Sequence, residues 1–294
     1  MSDYDQLFPD VRHTGDTVLR QAQFVMLRMF KVIDHICRKH DIKYWMCSGT
    51  LLGAVRHKGF IPWDDDLDIC MLREDYEKFL QVAVNEFPED MMLQTKETDP
   101  NYKYLPLPCK VRDKKSFILS PGHEDEKSAK GLYIDIFTAD RYNKNKAKFF
   151  FEKQIKIYNS LICRCLDSVN FKDESVIRRV LAFFHPVFHF LVVRYMKFAK
   201  KMIDRNRDLK PNECYIGHGF DTLWKRYFNY DNIYPLIEIE FEGSLFYAPH
   251  STDAYLTTLF GNDYMTPLPK SKRKPHASVI KPIFNGEIQE IENF

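Results

Sequence analysis

The chain has 294 residues, 45% of them hydrophobic and 29% charged, the proportions of an ordinary globular protein with room for one large α/β domain and a smaller appended part. Its net charge of +2 hides an asymmetry: between Arg141 and Lys210 lie 17 Lys/Arg against 6 Asp/Glu, and elsewhere 26 against 35. Seven scattered cysteines, without CxxC or zinc spacing, exclude a disulfide framework and a structural zinc knot. The acidic start MSDYDQLFPD has no apolar signal region, so a cytoplasmic location is expected.

Val18, Ala22, Val25, Met29, Val32 and Ile36 alternate spacings of four and three, which predicts one amphipathic helix ending at Lys39 to Asp41. Tyr44 to Cys47 reads as a strand that breaks at Ser48-Gly49, and Thr50 to Val55 as the opening of a second helix. Leu67 to Leu72 is a second strand, and Glu74 to Phe87 a charged amphipathic helix stopped by Pro88. Short strand-like pieces follow at Leu107 to Val111 and Phe117 to Leu119, then a third strand from Leu132 to Phe137. Residues 145–207 read as helical with a break near Pro186, and the tail carries a β-like segment from Val279 to Phe284.

The most apolar run, Val180 to Val193, is interrupted by His185, Pro186 and His189. It falls short of the ~20 residues a spanning helix needs. Flanked by Arg178, Arg179, Arg194, Lys197, Lys200 and Lys201, the segment 176–207 is a candidate for peripheral contact with an anionic membrane. The alternative is that Phe183, Phe184, Val187 and Leu191 are core. His185 and His189 read as packing residues, and Cys163 and Cys165 as inert thiols.

The informative stretch is Ser48 to Arg56, SGTLLGAVR, followed by Trp63 to Ile69, WDDDLDI. Asp66 and Asp68, two apart in a strand pattern, share a face, with α-carbons ~6.6 Å apart at ~3.3 Å per residue. Adjacent carboxylates repel and want a cation, and an oxygen-only set points to Mg²⁺ or Mn²⁺. Asp135, set between Ile134 and Ile136, is a costly lone charge unless paired, and on a neighbouring strand it completes a cluster. Read separately, each has a plainer meaning: a solvated acidic loop for the pair, a strand-end cap for Asp135. Ser48-Gly49-Thr50 falls between strand and helix, where backbone amides and a helix N-terminus form an anion cradle. Arg56 and Lys58 add positive charge. A phosphate cradle followed by an Asp-x-Asp strand is the layout of a nucleotidyltransferase-type fold.

Gly49 to Asp68, GTLLGAVRHKGFIPWDDDLD, resembles the signature of the LicD/fukutin family of phosphotransferases at nearly every position. Lys43-Tyr44-Trp45, Tyr133 to Phe137, Tyr255-Leu256, Gly261 to Tyr264 and Arg273 to His276 resemble it too. Thr138 departs from a frequent Pro, and Phe260 from a Tyr. The resemblance implies an α/β (α+β) fold in three parts. These are a nucleotidyltransferase-like core at 1–140, with a small mixed sheet flanked by helices, a basic helical region at 141–210, and a C-terminal part at 211–294 that completes the core.

It also implies metal-dependent transfer of a phospho-alcohol, phosphocholine foremost, from a CDP-alcohol donor to a sugar hydroxyl of a cell-surface glycan or glycolipid. CMP is released, and no nucleic acid takes part. On that reading Asp66 and Asp68 hold the metal, with Asp64 as a further ligand and Asp135 as ligand or general base. Ser48, Gly49 and Thr50 cradle phosphate, and Lys110, Arg112, Arg273 and His276 neutralise its charge. A choline cage would draw on Trp45, Trp63, Tyr102, Tyr104 or Tyr133. Rival readings are a nucleotidyltransferase moving an NMP, an Asp-x-Asp sugar transferase, and a catalytically silent membrane-surface protein.

Overall fold

The computed structural model describes residues 3–102, 107–121, 124, 126–149, 185–222, 226–273 and 275–283. Helix α1 (Val18–Lys39) begins where the Thr17 side chain accepts a hydrogen bond from the Arg20 amide at 3.1 Å and ends with Arg38 and Lys39 in its last turn. A hydroxyl on an orphan N–H and cations at the negative end of the dipole favour both boundaries. Ala22, Val25, Met29, Val32 and Ile36 of the predicted stripe lie in the main core, while Val18, which opens it, is exposed. Helix α2 (Ser48–His57) and helix α3 (Arg73–Glu86) follow, each within a few residues of its predicted bounds.

In chain order the first strands are β1 (Trp45–Met46), β2 (Asp68–Leu72), β3 (Met91–Gln94), β4 (Lys110–Asp113), β5 (Phe117–Leu119) and β6 (Tyr133–Asn143). After them come β7 (Cys214–His218), β8 (Tyr227–Asn229), β9 (Ile237–Phe241), β10 (Ser244–Ala248) and β11 (Val279–Lys281). The main sheet runs β1-β2-β6-β4-β3, with β7 and β8 continuing from β6. Only β2 and β6 are parallel within it, so the sheet is mixed, and helices flank it. A hairpin of β9 and β10 turns at Glu242 and Gly243, both at positive φ, the geometry of a tight two-residue turn. Its Phe246 stacks on Phe30 of α1 at 4.0 Å, closing the core on that side. Strand β11 pairs with β5 and ends the described chain.

Strand β6 organises the sheet because it has three partners. Its first half pairs with β4, its second half with β7, and β2 runs parallel along Asp135 to Ala139. The predicted third strand stops at Phe137, whereas β6 continues to Asn143, through the expected boundary between residues 140 and 141. Thr138 and Asp140, which interrupt the apolar run, are buried in an ion cluster instead of marking a loop.

Of the predicted helical region, Lys144–Phe149 and helix α4 (His185–Arg205) are described. Residues 150–184, with Cys163, Cys165, Phe183 and Phe184, lie outside the described residues. Helix α4 buries Ala199 and Ile203 beside Tyr142, while Val187, Phe190, Leu191 and Phe198 are exposed. Among the described residues, no helix is long and apolar enough to cross a membrane.

Candidate functional site

A cavity of about 950 Å³ opens at the end of β2 and β6 where α2 begins. The parallel register places Asp68 beside Asp135, and the antiparallel register places Lys110 of β4 on the other side of Asp135. Asp64 and Asp66 come from the segment leading into β2, and with Asp68 and Asp135 they line one wall. Two features hold Asp68 in place. Its amide donates to the Thr50 hydroxyl at 2.7 Å, and its carbonyl accepts from the Cys47 amide at 3.2 Å. Thr50 is therefore buried, with its hydroxyl committed to the backbone of β2.

The acidic wall is electrostatically strained. Burial, reinforced by Asp66, pushes Asp64 up to about 8. Asp66 is raised by burial and then by Asp135 and Asp65, though the His276 ring opposes the shift. Asp68 is raised well above its ordinary value, first by burial and then by Asp66 and Asp135. Carboxylates forced together out of water behave this way until a cation joins them. Lys110 relieves part of the repulsion through an ion pair with Asp135, and it also lies over the Tyr133 ring at 3.6 Å. Burial still drags the Lys110 ammonium below its usual value.

At the start of α2, Ser48 has φ 47°, an uncommon conformation for a residue with a side chain. A Cβ on Gly49 would stand 2.9 Å from Asp64 Oδ2, so the bare glycine lets the Asp64 carboxylate approach the helix N-terminus. Ser48 and Gly49 both line the cavity.

Basic residues line the same cavity beside the acids, several of them from the end of the chain. Arg273 lies over the Trp63 ring at 3.7 Å and donates to the Leu268 carbonyl at 2.8 Å. Arg56 donates to the Tyr264 carbonyl at 3.1 Å, and its guanidinium is lowered by burial and by Arg273. His276 Nδ1 is 2.9 Å from Asp65 Oδ1 and 3.4 Å from Asp66 Oδ2. The hydrogen bond to Asp65 raises the imidazole to about 9, with Asp66 adding to it. Lys272, Arg226 and His218 also line the cavity, together with Phe137, Phe260 and Tyr264.

Several residues singled out from the sequence sit elsewhere. Lys58 caps α2 in the left-handed region and is exposed, its carbonyl accepting from the Glu242 amide at 2.8 Å. Arg112 is buried, donating to Gln94 Oε1 at 2.5 Å and to the Gly131 carbonyl at 2.6 Å. Trp45 is core, and Tyr102 is buried with its hydroxyl on the Leu107 carbonyl at 2.7 Å. Tyr104 and Lys274 lie outside the described residues. Trp63 and Tyr133 do line the cavity, each with a ring face against a cation of the protein itself.

Asp64, Asp65 and His276 offer ligand atoms all within 4.8 Å of one another, a carboxylate/imidazole grouping able to hold a metal ion. Asp65 is the weakest of these as a ligand. It is 1% exposed, and its oxygens already accept from the amides of His276 and Ala277. Asp64, Asp66, Asp68 and Asp135 all line the cavity, and Asp64, Asp66 and Asp68 are raised by burial and by neighbouring carboxylates.

Sequence reasoning missed His218, Arg226, Lys272 and Asp65. A histidine flanked by Gly217 and Gly219 was a usable signal for the first, and the basic run at 270–274 for the third. Nothing local marks Arg226.

A model of the family described as "LicD/FKTN/FKRP, nucleotidyltransferase domain" matches residues 41–176. The lipopolysaccharide cholinephosphotransferase LicD of Haemophilus influenzae is 31% identical over 88% of this chain and 95% of its own length. An uncharacterized protein of Rickettsia prowazekii is 35% identical over 44% of this chain and 43% of its own. The human ribitol 5-phosphate transferase FKRP is 50% identical over 12% of this chain and 7% of its own length. With so much of both chains aligned to the Haemophilus protein, this chain belongs to the LicD family.

Proposed function

We propose that this protein is a metal-dependent phosphotransferase that moves phosphocholine from CDP-choline to a sugar hydroxyl of a surface glycan, releasing CMP. The supporting observation is the convergence of Asp64, Asp66, Asp68 and Asp135 in one cavity that Arg56, Arg273 and His276 also line. The guanidinium groups of Arg56 and Arg273 suit the charge of a diphosphate donor. Oxygen donors alone favour Mg²⁺ or Mn²⁺. Asp66 and Asp68, with Asp64 and Asp135 beside them, would hold such an ion, and it would supply the neutralisation that lets an anionic donor enter an acidic site. A nucleotidyltransferase-type core then comprises 1–140 and 211–294, with 141–210 as the appended basic region.

The remaining steps belong to the chain. Ser48 and Gly49, at the positive end of α2, take up anionic charge of the donor. Arg273 and Arg56 orient the phosphates. Asp135, positioned by Lys110, receives the proton of the acceptor hydroxyl as its oxygen bonds to the choline-bearing phosphorus. The bond to the CMP oxygen breaks, and CMP leaves with the electron pair. Phosphoryl transfer depends mostly on such positioning and charge neutralisation. Choline is preferred over ribitol because the resemblance to the cholinephosphotransferase spans nearly the whole chain, whereas that to the ribitol phosphate transferase spans a short segment.

The exposed apolar side chains of α4, with Arg194, Lys197, Lys200 and Lys201 on the same helix, suit peripheral contact with an anionic membrane surface. A cytoplasmic protein docked this way meets a lipid-linked acceptor at the inner face.

The deciding experiment is incubation of purified protein with Mg²⁺ and a panel of CDP-alcohols, with and without a glycan acceptor, measuring CMP. CMP from CDP-choline alone, abolished by Asp66→Ala, is the expected result. Pyrophosphate from a nucleoside triphosphate, without CMP from any CDP-alcohol, would move the protein to the nucleotidyltransferase reading.

A further inference from the structure

The three consecutive acids 64–66 divide their work. Asp64 and Asp66 line the cavity, while Asp65 between them is almost wholly buried and not part of the lining. Asp65 Oδ1 accepts from the His276 amide at 3.1 Å and faces His276 Nδ1 at 2.9 Å, and Oδ2 accepts from the Ala277 amide at 2.8 Å. Every donor comes from one place in the chain, some 211 residues away.

That place is the far end of a strap. After helix α5 (Thr252–Phe260) the chain runs from 261 to 276 with most of its residues exposed. Yet this strap brings Lys272, Arg273 and His276 to the cavity. At its near end the Tyr264 hydroxyl donates to Asp253 at 2.8 Å, and the Tyr264 carbonyl accepts from Arg56. In its middle Arg273 rests on Trp63. At its far end stands Asp65, immediately before the Ser278 amide joins the Leu119 carbonyl at 2.7 Å.

We propose that Asp65 is a positioning residue, its carboxylate spent on anchoring the 261–276 strap so that His276 is held against the acidic cluster and Arg273 on Trp63 beside it, without itself binding metal or substrate. The role assigned to those two residues toward a donor rests on the phosphotransferase reading above, but the anchoring does not. A metal on Asp65 would have to displace backbone donors and leave two amides unpaired, a loss that Asp64 and Asp66, already facing the cavity, do not incur.

Asp65→Asn is the test, because it keeps size and one acceptor oxygen but turns an N–H toward donors that need a carboxylate. Amide hydrogen exchange at 276–278 should speed up by about tenfold or more, the scale of one lost charged hydrogen bond, with β2 and β6 unchanged. Mn²⁺ binding, followed by titration, should stay within about twofold, the scale left when no ligand is lost. KM for the donor should rise about tenfold while kcat changes far less, because a displaced Arg273 weakens ground-state and transition-state binding alike. Adding Arg273→Ala to Asp65→Asn should then cost little more, as expected for residues acting in series.

Should Asp65→Asn fail to fold, Ala277→Pro removes a donor from the strap side and leaves the acidic wall intact. It should show the same faster exchange at 276 and 278, proline itself having no amide to exchange, and the same Mn²⁺ result. Tenfold weaker Mn²⁺ binding with unchanged exchange at 276–278 would make Asp65 a metal ligand and overturn the proposal. Unchanged exchange in both variants would overturn it as well. The exchange measurement needs no substrate, so it decides the anchoring even if no CDP-alcohol proves to be turned over.

Discussion

Arg73 opens α3 directly after β2, and its side chain is 8% exposed between two carboxylates that are 0% and 4% exposed. It donates to both oxygens of Asp140 at 2.9 Å and to those of Asp221 at 2.6 and 2.8 Å. Thr138 donates to Asp221 at 2.8 Å, and the Phe220 amide to Asp140 at 2.9 Å. Arg73→Met keeps most of the volume but strands two buried carboxylates. Removing one partner from a buried ion pair costs about 3–5 kcal/mol, a large part of the ~5–15 kcal/mol that holds a domain together. For a chain of this length each kcal/mol is worth roughly 2–4 °C in Tm, so a fall of about 6–20 °C is expected. Arg73→Lys retains the charge but loses the fork that serves two carboxylates, and should fall between Met and wild type. Urea denaturation followed by circular dichroism measures this directly. In an Asp140→Asn/Asp221→Asn background, Arg73→Met should cost much less, since no charge is stranded. A loss under ~1 kcal/mol for Arg73→Met in the wild-type background would refute the reasoning, because it is what a hydrated surface cluster yields.

Three further outcomes follow from the site and its surroundings. Thr50→Val leaves the Asp68 amide without its acceptor inside the protein, and should cost about 1–3 kcal/mol in the same denaturation assay. In chelator-treated protein, Asp64 at about 8 and His276 at about 9 are both raised above their ordinary values. Their contributions are therefore present at low pH and lost as pH rises, Asp64's from its ordinary value near 4 up to 8 and His276's from 6.5 up to 9. Tm without metal should fall from pH 5 to pH 9, and Mg²⁺ should raise it most at the alkaline end; a flat profile with no metal effect would deny the acidic wall its cation. On vesicles containing anionic lipid, Arg194, Lys197, Lys200 and Lys201 should each contribute ~1 kcal/mol of attraction, weakened by salt. Co-sedimentation that vanishes at high salt and falls with Phe190→Ser supports membrane docking; salt-independent or absent binding argues against it.

Local pattern carried the sequence reading wherever one element satisfies itself. The α1 stripe, the Asp68–Leu72 strand and the α3 boundaries all express a repeating hydrophobic period, which neighbouring residues set without help from the rest of the chain. The acidic run and the glycine turn were legible for a related reason: buried carboxylates and a bare helix start are costly unless used, so their presence in an otherwise apolar setting stands out. The sequence pattern predicts the third strand only to Phe137 because Thr138 and Asp140 look like the end of an apolar run; Arg73, 67 residues earlier, the Phe220 amide and Asp221 make their burial tolerable. Arg112 and Lys58 looked like phosphate ligands by charge alone, until Gln94 and the Gly131 carbonyl engaged the one and the end of α2 turned the other to solvent. The division within 64–66, and the strap that delivers Arg273 and His276, were decided by tertiary structure. A side chain's type and spacing follow from the chain, but which donors meet it depends on segments that come together only when the core closes.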